Sequence, residues 1–198
     1  MARYGLCIDL GRCIGCYGCV VGCKNWHGVP AGEAGRIALK DFFTGIYPQV
    51  ARWIFPVMCM HCEHPPCVSV CRFKACIQRE DGIVVVDPKR CVGCELCTFA
   101  CPFGLRTFRQ NQGVADGCDF CLERISSGGL PYCVESCPTD ALVFGDLDDP
   151  QSSVSKRIRA TGAKPPMDRF RIGPKIFYTQ AENRVNAVDR AFNPSRKT

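Results

Sequence analysis

The stretch Cys13-Ile14-Gly15-Cys16-Tyr17-Gly18-Cys19-Val20-Val21-Gly22-Cys23 spaces four cysteines as C-x2-C-x2-C-x3-C. Residues 91–101 repeat this spacing, and Pro102 follows them directly. Two more groups keep the order with one longer gap, of four residues in one group and eleven in the other. Sixteen of the eighteen cysteines thus form four runs: Cys13, Cys16, Cys19 and Cys23 (run one); Cys59, Cys62, Cys67 and Cys71 (run two); Cys91, Cys94, Cys97 and Cys101 (run three); and Cys118, Cys121, Cys133 and Cys137 (run four).

This spacing is typical of cysteines that hold a 4Fe–4S cluster. Short steps wrap one loop around three irons, and glycines such as Gly15 and Gly93 let the backbone turn tightly. The fourth cysteine of such a run ligates the neighbouring cluster. The four runs therefore predict four 4Fe–4S clusters, with all sixteen run cysteines as ligands and no catalytic residues.

Zinc and disulfides explain the runs less well. A structural zinc site takes two separated C-x2-C pairs, which would leave a third cysteine unexplained in runs one and three. Disulfides within such tight runs would be strained. Residues 1–7 lack a basic region followed by an apolar run, and no stretch approaches the ~20 apolar residues of a membrane span. We therefore expect neither an export signal of its own nor a membrane span.

An internal repeat predicts how the runs combine. The segment Ile8–Cys13 parallels Val86–Cys91, and apolar residues before each segment predict a strand. Further short strands are predicted after runs two and four. The strands on either side of the Asp81-Gly82 turn signal should form a hairpin, so runs two and three share a module. The remaining strands, at 4–8 and 141–145, should pair across the chain and join runs one and four.

The predicted fold is therefore α+β, with two nested bacterial-ferredoxin-like modules. The outer module comprises residues 1–24 and 115–145, and the inner module residues 58–114. Residues 25–57 are an insertion, and residues 146–198 are an extended C-terminal arm that contacts partner subunits. The predicted ligand sets are Cys13, Cys16, Cys19 and Cys137; Cys118, Cys121, Cys133 and Cys23; Cys59, Cys62, Cys67 and Cys101; and Cys91, Cys94, Cys97 and Cys71.

Two cysteines lie outside the runs. Cys7 and Cys76 align with apolar strand positions, so both are predicted to be core residues; the alternative is that Cys76 replaces Cys71 as a ligand. His61 and His64, within run two, could ligate iron, but no ligand is missing there. A hydrogen bond from His61 to a cluster sulfur or to backbone is therefore favoured. Cations that flank the runs could stabilise reduced clusters or only be solvated: Arg12, Lys24, Arg72, Lys74, Lys89 and Arg90.

Composition and charge agree with this class of protein. The chain is 46% hydrophobic and 22% charged, which is typical of a folded protein. Its formal charge is +6, but each cluster with its four thiolates carries roughly −2, so the loaded protein would be close to neutral. Nucleic-acid binding is therefore disfavoured. The sequence has no glycine-rich nucleotide-binding motif, and no paired carboxylates stand out.

The runs, together with residues 59–67, Gly145–Pro150 and Lys175–Tyr178, resemble the iron–sulfur (beta) subunit of molybdopterin oxidoreductases. The chain is most similar to beta subunits of polysulfide, thiosulfate, dimethyl sulfoxide and arsenate reductases. The resemblance implies the same nested cluster pairing. It also implies a catalytic subunit with a molybdenum or tungsten bis-pterin, and a membrane subunit that exchanges electrons with quinone. Arg72 departs from the family pattern, which has proline there.

The resemblance implies a membrane-associated complex. The chain would lie on the periplasmic side by export together with the catalytic subunit, or otherwise in the cytoplasm. Two alternatives stay open: an electron-transfer subunit of a formate dehydrogenase or hydrogenase complex, and a free-standing soluble polyferredoxin.

Overall fold

A computed structural model describes residues 2–166 and 171–179. Within these ranges the strands are β1 (Tyr4–Ile8), β2 (Ile37–Ile46), β3 (Gln49–Met58), β4 (Cys76–Gln78), β5 (Val84–Val86), β6 (Thr107–Arg109), β7 (Val114–Asp116), β8 (Leu142–Asp146) and β9 (Ile176–Tyr178). The helices are α1 (Gly18–Trp26), α2 (Pro66–Ser69), α3 (Leu96–Ala100), α4 (Leu122–Ser126), α5 (Tyr132–Glu135) and α6 (Ser153–Thr161).

The strands that flank the runs pair as the repeat predicts. β1 pairs antiparallel with β8, so that Ile8 lies opposite Leu142. β4 pairs antiparallel with β5, and Cys76 lies opposite Val86. The backbone bonds that lead into runs one and three also repeat, because Cys13 donates to the Asp9 carbonyl and Cys91 to the Asp87 carbonyl, each at 3.1 Å. The two segments therefore share one local structure.

The insertion forms a long hairpin of β2 and β3, two strands that the sequence did not predict. Ile37 pairs with Met58 at its base, where Phe55, Val57 and Met58 are buried in the core. Gly45, near the tip, has φ +92°, and a Cβ there would lie 2.0 Å from the Gln49 carbonyl oxygen. Only glycine fits this position. The hairpin is anchored at its base and exposed at its tip.

The prediction of an extended arm from residue 146 onward does not hold for the described part. β9 pairs in parallel with β1, and Ile176 and Tyr178 are completely buried. The helix α6 begins after Ser152, whose hydroxyl accepts a hydrogen bond from the Ser155 amide, and ends at the left-handed Gly162. A three-residue strand is too short to show periodicity, and its partner β1 is far away in sequence. Residues 167–170 and 180–198 of the predicted arm lie outside the described residues.

The buried Tyr178 tests this correction. Its ring packs edge-on against Phe55, and its hydroxyl donates a 3.0 Å hydrogen bond to the Pro56 carbonyl. Tyr178→Ala should lower the free energy of unfolding by about 3 kcal/mol or more. Thermal unfolding should then show a melting temperature at least roughly 6 °C lower. Phe43→Ala, at a side chain that is 67% exposed, is the matched control and should change little. Equal effects of the two substitutions would contradict a core role for β9.

Candidate metal centres

Thiols of runs one and four meet at the first group, called site 1 (Cys13, Cys16, Cys19 and Cys137). Burial raises the pKa of Cys13, and repulsion from the Cys137 and Cys16 thiolates raises it further. Burial, with repulsion from Cys13 and Cys137, raises the pKa of Cys19 to about 12. Thiols that raise one another's pKa in this way lie close together. Cys137 therefore faces run one, although it belongs to run four.

The second group, site 2, consists of Cys118, Cys121 and Cys133 with Cys23. Burial raises the pKa of Cys133 well above its ordinary value, and repulsion from Cys121 and Cys23 adds to this. Burial also raises the pKa of Cys23 to about 12, and Cys121 contributes to the rise. The helix α1 carries Cys19 and Cys23 one turn apart. It therefore extends one thiol to site 1 and the other to site 2.

The third group, site 3, consists of Cys59, Cys62 and Cys67 from run two with Cys101 from run three. Burial raises the pKa of Cys62 to about 12, and Cys59, Cys101 and Cys67 raise it further in that order. The four thiols line one small cavity together with Phe103 and Arg106. The structure thus brings the four predicted cysteines together. Three of them come from run two, and Cys101 comes from run three.

The fourth predicted ligand set, called site 4, is Cys71 with Cys91, Cys94 and Cys97. Cys71 and Cys91 pack against a buried cluster that contains Cys97, together with Cys76 and with Cys67 of site 3. Cys71 Sγ accepts a 3.3 Å hydrogen bond from the Ala75 amide, just as Cys137 Sγ accepts one from the Ala141 amide. Cys71 therefore has the local geometry of Cys137, even though Arg72 replaces the proline that follows Cys137.

The two remaining cysteines are buried, as predicted. Cys7 is completely buried and packs against Val154 and Ala163. Cys76 is also buried, but it lies directly beside site 4. A hydrogen bond from the Cys76 thiol lowers the pKa of Cys97 to about 6. Cys76 is thus a core residue that contacts a predicted ligand, a contact that its alignment with Leu142 did not indicate.

The chemistry of the four sites fits iron–sulfur clusters. All eighteen cysteines are free thiols. Backbone amides donate to their sulfurs, for example Phe120 to Cys118 and Ala115 to Cys91, each at 3.4 Å. Such N–H···S bonds tune cluster potentials. Gly93 has φ +72°, and a Cβ there would lie 2.5 Å from the Gly113 carbonyl oxygen, so the loop of run three needs a glycine.

The sites follow one another in the order 1, 2, 3, 4. Repulsion from Cys19 of site 1 contributes to the raised pKa of Cys133 at site 2, so these two sites are neighbours. Between sites 2 and 3, the Phe120 ring stacks on His61 with centroids 3.8 Å apart. Repulsion from Cys67 of site 3 contributes to the raised pKa of Cys76, which lies beside site 4. Only Cys16 of site 1 and Cys94 of site 4 are exposed, so the two end sites lie nearest the surface.

The His61 side chain is fixed by the backbone rather than held as a ligand. It is completely buried, and its Nδ1 accepts a 3.0 Å hydrogen bond from the Val84 amide. Burial lowers the pKa of His61 well below its ordinary value, so the ring is neutral. The ring is thus bonded to backbone, but it accepts this hydrogen bond, whereas the prediction had His61 as the donor. The bond connects run two to β5.

Sequence reasoning assigned no role to several polar residues near site 2. Arg36 donates to Asp119 at 2.8 Å and pairs with Asp116 at 2.9 Å. It also donates to His27 Nδ1 at 3.1 Å, which leaves the proton of the neutral ring on Nε2, 3.4 Å from Cys121 Sγ. These contacts join the insertion to run four. No short motif signals them, because they span about 80 to 95 residues of sequence.

The flanking cations that sequence reasoning singled out are mostly exposed. Arg12, Arg72 and Lys74 face solvent, as do Lys89 and Arg90, whereas Lys24 is half-buried. Their surface positions favour solvation over cluster stabilisation. Arg106, by contrast, is a buried cation that contacts a predicted ligand, although it lies in neither a run nor its flanks.

Comparisons with known proteins agree with these sites. A family model described as "4Fe-4S dicluster domain" matches residues 50–147. A tetrathionate reductase subunit of Salmonella typhimurium is 45% identical over 77% of this chain and 62% of its own length. A sulfite dehydrogenase subunit of Allochromatium vinosum is 36% identical over the whole chain and 93% of its own length. The thiosulfate reductase electron transfer subunit PhsB of Salmonella typhi is 40% identical over 94% and 90%, respectively.

The fold and its thiol sites define an iron–sulfur electron-transfer protein with a ferredoxin-like dicluster domain. The relatives are subunits of a tetrathionate reductase, a sulfite dehydrogenase and a thiosulfate reductase, the last named as an electron transfer subunit. Two of them match this chain over nearly their whole length. The chain therefore belongs to the iron–sulfur beta subunits of the molybdopterin oxidoreductases. The resemblance noted from its motifs is confirmed. Among the described residues, no helix is both long and apolar enough to span a bilayer.

Proposed function

We propose that this chain carries electrons through four 4Fe–4S clusters between two partner subunits. The observation that carries the proposal is the line of four thiol groups, whose only exposed cysteines, Cys16 and Cys94, belong to the two end sites. When bound, the clusters would supply reversible one-electron redox chemistry. The chain itself holds, spaces and insulates them and bonds no substrate.

We further propose that the sites belong to two nested modules. Sites 1 and 2 form the outer module and sites 3 and 4 the inner one, with the ligand sets that the repeat predicts. The pairing of β1 with β8 supports the outer module, and the pairing of β4 with β5 supports the inner one. The module boundaries at 1–24 with 115–145 and at 58–114 are part of this proposal.

Two exposed apolar surfaces support partner contacts at both ends of the line. The surface around site 1 comprises Ile14, Tyr17 and Val21. Ile54 of the hairpin packs beside Gly15 at the same place. Around site 4, Phe99 is 85% exposed, next to Leu96. Contiguous exposed apolar groups mark protein interfaces. One partner would be a catalytic subunit with a molybdenum or tungsten bis-pterin, and the other a quinone-linked membrane subunit.

The remaining proposals concern the cellular location of the complex and the role of the C-terminal arm. The complex would be membrane-associated, on the periplasmic side after export with its catalytic subunit or otherwise in the cytoplasm. The part of 146–198 outside the described residues would contact the partner subunits. It belongs to a tail with eleven Lys/Arg and six Asp/Glu, whose net positive charge favours a fixed complex over a free polyferredoxin.

The test is to purify the protein anaerobically from its host and measure its metals. The chain should carry about sixteen iron and about sixteen sulfide, four of each per cluster. It should co-purify with a larger subunit that contains molybdenum or tungsten. Eight iron per chain would contradict the four-cluster proposal. A loaded chain that elutes alone would support the soluble polyferredoxin, and a partner with nickel would support the hydrogenase alternative.

A further inference from the structure

Arg106 is a buried cation without a carboxylate partner. Only 7% of the residue is exposed. Nη2 donates a 3.4 Å hydrogen bond to Cys67 Sγ at site 3. Nη1 is buried and has no hydrogen-bond partner among the residues that the structure describes. A buried charge is costly unless an opposite charge accompanies it.

The groups that attract Arg106 are cysteine sulfurs, which are negatively charged when they ligate a cluster. The strongest attractions come from Cys59 and Cys67 of site 3, followed by Cys76 beside site 4. No Asp or Glu is among these partners. The guanidinium also packs against Gly117, in the loop that leads into site 2. It lies so close that a Cβ added to Gly117 would be 2.7 Å from Nη1. Arg106 thus lies at the middle of the line of sites, against the thiols of site 3.

Two other cations near site 2, the half-buried Arg36 and the buried Arg109, are arranged differently. Arg36 lies 2.9 Å from Asp116 and 2.8 Å from Asp119. Arg109 lies 2.7 Å from Asp116. Carboxylates thus neutralise the charges of Arg36 and Arg109. The charge of Arg106 instead faces the cysteines of site 3 and whatever cluster they hold.

We propose that Arg106 is a positioning residue that compensates the charge of the cluster at site 3 and raises its reduction potential. The proposal rests on the proposed four-cluster function. Reduction adds one negative charge to a cluster whose thiolate complex is already negative. A buried cation beside it, unshared with any carboxylate, favours the reduced form because the surrounding dielectric constant is low. The hydrogen bond to Cys67 acts in the same direction.

The test is an EPR-monitored redox titration of the loaded protein. Arg106→Gln should shift the midpoint potential of one cluster downward by more than those of the other three, because the guanidinium lies closest to the thiols of site 3. The signal lost in a Cys62→Ala variant identifies that cluster as the one at site 3. Arg106→Lys keeps the charge and should restore most of the wild-type potential. Arg72→Gln removes an exposed cation next to Cys71 and should leave the potential of site 3 unchanged.

A second variant covers the case in which Arg106→Gln fails to assemble. Gly117 does not have a positive φ, so Gly117→Ala needs no unusual backbone, yet its methyl group would displace the guanidinium. It should lower the same midpoint by a smaller amount. An unchanged potential at site 3 in both variants, or a shift confined to another cluster, would overturn the inference. A wild-type protein with fewer than four cluster signals would instead defeat the proposed function itself.

Discussion

Cys137→Ala should abolish the EPR signal of the same cluster that Cys16→Ala abolishes. Cys137 is 121 residues beyond Cys16 and belongs to run four, whose other cysteines lie at site 2. In the structure, however, its thiolate raises the pKa of Cys13 and of Cys19 at site 1. Because a cluster needs all its ligands to remain a stable 4Fe–4S centre, removing either cysteine should damage the same site.

The double variants make this expectation decisive. Cys16→Ala with Cys137→Ala should lose no more than about four iron per chain, because both substitutions affect one cluster. Cys121→Ala with Cys137→Ala is the matched control and should lose two EPR signals. If the pairs behaved the other way round, each run would hold its own cluster. The ligand sets proposed for the outer module would then be wrong.

Short-range features of the fold could be predicted because covalent spacing dictates them. A C-x2-C-x2-C-x3-C run has few ways to fold around a cube of iron and sulfur, so the loops of runs one and three follow from their residues. The pairing of β1 with β8 also followed, because Ile8–Cys13 and Val86–Cys91 share a pattern that the structure repeats bond for bond. In these places, local sequence and tertiary contact require the same conformation.

Features that depend on distant contacts could not be predicted. β9 is a strand because Tyr178 reaches Phe55 and Pro56 across more than 120 residues. Much of the β2–β3 hairpin is exposed, so its sequence does not show the alternation of a half-buried strand. Arg106 could not be separated from the exposed cations of the chain, because its burial is a property of the assembled sites.

Removing iron should unfold the inner module while the sheet of the outer module persists. The strands β4, β5 and β6 of the inner module have only three residues each, as does β7, which pairs with β6 across the proposed boundary at residue 114. The separate buried cluster beside them consists of Val84 and Ala115 with three cysteines, Cys67, Cys76 and Cys97. Other buried apolar residues of the inner module, such as Met60, Ile83 and Phe103, pack into the main core instead. A separate cluster this small cannot offset the conformational entropy of the module, and iron–sulfur cluster binding must supply the remaining free energy.

The outer sheet borders the main core of the protein, which is larger. β1 lies between β8 and β9, and Leu6, Ile8 and Ile176 are completely buried there. Hydrogen exchange followed by mass spectrometry, after anaerobic chelation of the iron, should therefore show near-complete loss of amide protection in β4 to β7. Protection in β1 and β8 should fall much less, and a sample treated identically without chelator should keep both. Equal loss in both modules would mean that the outer sheet also depends on the clusters. Preserved protection in β4 and β5 would mean that these few apolar contacts suffice without them.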